Sequence, residues 1–165
     1  MPFWNISISG RPRHSPLAES SGLPRVVDEA VLARKLAAIR DAVARIREVL
    51  PSSAEAFREN RTSREIVILN LFIALQEAIA LATHWLADEG WDVPQRYGDA
   101  FATLAERQVL ERDLAHRLQA ASGLRNLIAH QYGAVDADRI FDLASNDVQD
   151  LLSFCQQLAQ RAERA

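Results

Sequence analysis

The chain has 165 residues, 48% hydrophobic and 25% charged, which suits one domain with a real core. Six glycines and six prolines are too few for the turns of an all-β sandwich, and a single cysteine excludes a disulfide framework or a Cys-rich zinc module. A formal net charge of −3 argues against coating nucleic acid by bulk charge and leaves only a local basic groove as a route to it.

Four of the six prolines lie in the first 24 residues, and none follows Pro94. Residues 1–25 therefore read as a flexible N-terminal extension, with a short strand at Trp4–Ile8 as the alternative, and residues 26–165 as a helical domain. The extension lacks the apolar run of a signal peptide, which predicts a cytoplasmic protein. Of the 19 basic residues 18 are arginine, a bias typical of GC-rich bacterial coding.

From Val27 the apolar period is helical. Leu32, Leu36, Ile39, Val43, Ile46 and Leu50 recur by fours and threes, Asp28 is placed to cap, and Pro51 to stop the helix. Residues 54–62 predict a short helical turn. A long helix follows from about Ser63 to Asp88, with Glu77 the one charge between Glu65 and Asp88. Its length and apolarity suit a membrane span, but Asn70, Gln76, Glu77, Thr83 and His84 interrupt it. A helix buried on most sides is the better reading, and no membrane association is predicted. Asn70, Glu77 and His84 recur every seven residues and share a face that should meet a polar surface. After the break at Gly90–Pro94, helices are predicted over 96–107 and 110–132. Asp136 then caps a last helix whose apolar side holds Ile140, Leu143, Val148, Leu151, Leu152, Cys155 and Leu158. The class is all-α, and no strand–glycine loop–helix unit for nucleotide binding is present.

The densest chemical signal is Arg125-Asn126-Leu127-Ile128-Ala129-His130-Gln131-Tyr132. At about 100° per residue Arg125 and Tyr132 align two turns apart. Asn126 and His130 are an i, i+4 pair in which the amide can orient the imidazole. A histidine titrating near neutrality can move the proton of an RNA 2′-hydroxyl, and a guanidinium can hold the phosphate and its developing charge, without a metal or other cofactor. The nucleophile would make the substrate RNA rather than DNA. The same trio on a helix also occurs as ordinary surface polarity, and one histidine per chain falls short of an acid and a base. A symmetric dimer would supply the second set.

The string SGLRNLIAHQYGAVD resembles the RxxxxHxY signature of the HEPN superfamily, specifically its HepT-like toxin branch. The helix start at 35–46, QEAIALATHWLADEG and VPQRYGDAFATLAE resemble the branch in order and spacing, so that residues 27–155 are covered. The resemblance implies a HEPN-type four- or five-helix bundle that forms a homodimer through the motif helix. It implies a metal-independent endoribonuclease acting on transfer or messenger RNA, the toxin of a type VII-like toxin–antitoxin pair. Carried across, Arg125 and His130 are catalytic, Asn126 and Glu77 are auxiliary polar residues, and Tyr132 receives AMP from an MntA-like nucleotidyltransferase antitoxin. The rival expectation is a non-catalytic helical subunit that partners a nucleotidyltransferase. A more distant one is histidine phosphotransfer through His84 or His116.

Overall fold

A computed structural model describes residues 28–131 and 135–164. The helices are α1 (Glu29–Val49), α2 (Ala54–Glu59), α3 (Arg61–Asp88), α4 (Asp99–Glu106), α5 (Arg112–Gln131), α6 (Ala137–Asp142) and α7 (Val148–Ala162), with a π-helical turn at Leu143–Asp147 between the last two. The N-terminal extension, including Trp4–Ile8, lies outside the described residues.

Helix α1 follows its sequence period. Leu32, Leu36, Ile39, Val43 and Ile46 are buried, while Leu50 is half-buried at the C-cap. Asp28 caps it by accepting from the backbone N–H groups of Ala30 and Val31 at 3.0 and 3.1 Å. Asn60 ends α2 and caps α3, its side-chain oxygen accepting from Ser63 N at 2.9 Å. Ser63 is buried, and its hydroxyl donates to the orphan carbonyl of Val49 at 2.7 Å, tying the end of α1 to the start of α3.

Helix α3 is the element that α1, α2, α4, α5, α6 and α7 all touch. Among the described residues it alone is long and apolar enough to cross a membrane, with a mean hydropathy of 2.0. Its central place explains much of that composition, since Val67, Leu71, Leu75, Ala78, Leu81, Trp85 and Leu86 are buried on a broad side of it, while Leu69 and Ile73 stay exposed. It stops at Gly90, whose φ of 71° is the left-handed conformation a helix C-terminus needs. Trp91 N then returns to the carbonyl of Leu86 at 2.8 Å, and the half-buried Trp91 ring lies under the Arg107 guanidinium, 5.0 Å from the ring centroid.

Two elements depart from the sequence reading. Helix α4 begins at Asp99 rather than near Arg96, because residues 91–98 form a loop that closes on α5. The last helix is interrupted by the π turn. Ile140, Ala144 and Val148 are buried through this turn, and Leu151, Cys155 and Leu158 continue the buried side beyond it.

Candidate functional site

Helix α5 carries the motif residues over its last two turns. Its apolar side, Leu114, Leu118, Leu124 and Ile128, is buried against the core, which leaves Asn126 and His130 exposed and Arg125 half-buried. Tyr132, the residue expected to accept AMP, lies outside the described residues.

Arg125 does not reach along its own helix toward His130. It crosses to α3, where its Nε–H donates to the side-chain oxygen of Gln76 at 2.7 Å. One terminal nitrogen donates to the Asn126 side-chain oxygen at 3.1 Å, and the guanidinium stands 5.5 Å from the Phe72 ring centroid. Two contacts and an aromatic face thus hold a planar cation with its outer edge toward solvent. Because Asn126 gives its oxygen to Arg125, the structure brings those two together where the spacing had suggested an Asn126–His130 contact.

Glu77, one residue along α3, faces another way. Its carboxylate pairs with Lys35 of α1 at 2.8 Å, with both side chains mostly covered. The expected polar surface opposite the Asn70–Glu77–His84 stripe is at that point the single lysine of the chain. Asn70 donates back to the carbonyl of Ile66 at 2.8 Å. His84 Nε2 lies 3.2 Å from Asp88, whose carboxylate also accepts the backbone N–H of Asp28 at 3.2 Å. His84 therefore sits where the start of α1 meets the end of α3, and His116 is exposed on α5.

Gln76 escaped the sequence reading. It is a neutral residue beside a charged one, and the heptad Asn70–Glu77–His84 drew attention to the adjacent face. The available signal was Gln76 with Thr83, a second polar pair seven residues apart within the apolar run. Both line a cavity of about 370 Å³ between α3, α5 and the loop before α4, together with Arg125.

The surrounding arginines are not equally available. Arg117 is engaged in a two-pronged pair with Asp150 at 2.7 and 3.0 Å, which raises its pKa and offsets its charge. Arg139 is exposed and lines a separate apolar cavity with Arg117, Asp147 and Asp150. Arg125, held by neutral groups, keeps its full charge.

A family model described as "Ribonuclease HepT-like" matches residues 39–158, a span that contains Gln76, Glu77, Arg125, Asn126 and His130. The chain is 27% identical over 124 residues to the mRNA nuclease HepT of Shewanella oneidensis, covering 75% of this chain and 92% of that protein. It is 32% identical over 60 residues to the tRNA nuclease HepT of Aphanizomenon flos-aquae, 36% and 41% of the respective lengths. Among solved structures, the tri-AMPylated Shewanella oneidensis HEPN toxin in complex with MNT antitoxin has a TM-score of 0.73 and 25% identity, over 79% of this chain and 97% of that one.

Proposed function

Because the chain belongs to the HepT-like ribonuclease family, we propose that it is a metal-independent endoribonuclease and the toxin of a toxin–antitoxin pair. The observation that carries this reading is the anchored guanidinium of Arg125 on the helix that also presents an exposed His130. Arg125 holds a phosphate of the RNA strand and takes up the charge that develops on it. His130 removes the 2′-hydroxyl proton, and the alkoxide attacks the adjacent phosphorus. The 5′-oxygen departs with a proton, leaving a cyclic phosphate on one product. One imidazole cannot serve both oxygens at once, so a second motif helix in a homodimer supplies the acid. The exposed apolar Leu69 and Ile73 of α3 flank Phe72, beside the site, and favour that assembly.

The relatives' HEPN and MNT names extend the proposal to a nucleotidyltransferase antitoxin. Addition of AMP to Tyr132, seven residues after Arg125 in the motif, would add a phosphate that can compete with RNA for that arginine. Asn126 serves the site by orienting Arg125. Glu77 serves it indirectly, by fixing α3 to α1 through Lys35. A nuclease of transfer or messenger RNA would act in the cytoplasm, where its substrates are.

The decisive experiment incubates purified protein with transfer and messenger RNA in EDTA, beside His130→Ala. Cleavage by the wild type and none by the variant is expected. If neither cuts, the chain is the non-catalytic binding subunit. In parallel, the Tyr132 peptide should gain the mass of one AMP after treatment with the antitoxin and ATP. An unchanged mass, with the antitoxin active, removes the modification from the proposal.

A further inference from the structure

The cavity beside Arg125 has a second fixed end. Its α3 wall carries Ile79, Ala80, Thr83, His84 and Ala87, and Tyr97 lines it together with the Gln76–Arg125 pair. Tyr97 is 58% exposed, the most exposed large apolar side chain among the described residues. It stands in the loop between α3 and α4.

The backbone next to it is nonetheless held. A Cβ on Gly98 would lie 2.5 Å from the Ser122 hydroxyl oxygen and 3.3 Å from the Gln119 carbonyl, so any side chain here would make Ser122 turn away and press on the α5 backbone. Gln119 further donates to the Asp99 carboxylate at 2.9 Å. Ser122 is one turn before Arg125 on the same helix. The residue after Tyr97 is thus locked to the helix that carries the phosphate-binding arginine.

A cation at one end of a slot and an exposed aromatic at the other are the two halves of a single-strand subsite. Bases stack on the aromatic face, and the connecting phosphate meets the cation. The volume of about 370 Å³ accommodates one base with room for solvent. We propose that this cavity takes one unpaired nucleotide of the RNA strand, its base stacked on Tyr97 and its phosphate on Arg125. The inference rests on Arg125 being the phosphate-holding group of the proposed nuclease. A base paired inside a duplex cannot enter the slot.

The test uses the full chain carrying His130→Ala, so that RNA is bound and not cut. A short single-stranded oligoribonucleotide with one 2-aminopurine reports stacking by quenching of its fluorescence. Tyr97→Phe should bind and quench like the parent. Tyr97→Leu, which keeps apolar bulk without a π face, should bind about tenfold more weakly and lose quenching. Gly98→Ala should weaken binding in the same direction. Duplex RNA should compete equally against the parent and Tyr97→Leu. Equal affinity and quenching for Tyr97→Phe and Tyr97→Leu would overturn the subsite while leaving the nuclease reading intact. If the His130→Ala chain binds no RNA and the wild type cuts none, both fall together.

Discussion

Arginine offers five N–H donors in a rigid fork, and at Arg125 one is committed to Gln76 and one to Asn126. Both acceptors are neutral, so orientation comes without loss of charge. A carboxylate at position 76 would hold the same nitrogen more strongly but would itself occupy the cation, in competition with phosphate. The acid next door, Glu77, is kept away from Arg125 by its pair with Lys35. Gln76→Glu should therefore weaken RNA binding about tenfold. It should also make the dependence of log affinity on log salt concentration shallower by about 0.7, the loss of one phosphate contact on a single strand. Gln76→Ala should preserve the salt slope and lower the cleavage rate, since an unanchored guanidinium still attracts phosphate but no longer in one place. Salt titrations in the His130→Ala background and single-turnover cleavage in the parent separate the two. A Gln76→Glu slope equal to the parent's would show that Arg125 makes no phosphate contact.

Which elements form was legible from periodicity and caps, and which faces meet was not. Asp28, Asp136 and the apolar period of α1 do what their positions suggested, because capping and amphipathic burial are local. The start of α4 depends on Gly98 lying against α5, so it has no local signal, and the π turn has none in the sequence period either. The choice of Gln76 over Glu77 as the neighbour of Arg125 is likewise made by packing, because an apolar helix such as α3 gives no preferred face to read. Local chemistry is clearest at Asn60, where one side chain both ends α2 and starts α3. Asn60→Ala should cost about 1 kcal/mol in urea unfolding, and Asn60→Asp, which keeps the acceptor for Ser63 N, should recover most of it. Equal loss in both variants would mean that the amide's donor side, not the cap, stabilises this corner.

Taken as a whole, the molecule buries its one cysteine among the side chains of α7 that face the core. Cys155 is 1% exposed, and burial pushes its thiol pKa from an ordinary 9.0 up to about 11, with Arg40 pulling weakly the other way. The folded pKa lies above the unfolded one, so the associated stability is fully present below about pH 9. Between about pH 9 and 11 the unfolded chain ionises its thiol and the folded chain cannot, so stability is lost as pH rises through that window. The size is about 1–3 kcal/mol across the window. Other groups of the folded and unfolded chain also respond to alkaline pH, so the slope of the wild type alone would not isolate Cys155. The difference between wild type and Cys155→Ala does, because the small cavity left by alanine costs the same at every pH. Denaturant midpoints at pH 8, 9, 10 and 11 should therefore converge toward, or cross in favour of, the variant as pH rises. Curves that stay parallel from pH 8 to 11 would show that the thiol ionises as readily in the folded chain as in the unfolded one. The core around α7 would then admit water at Cys155.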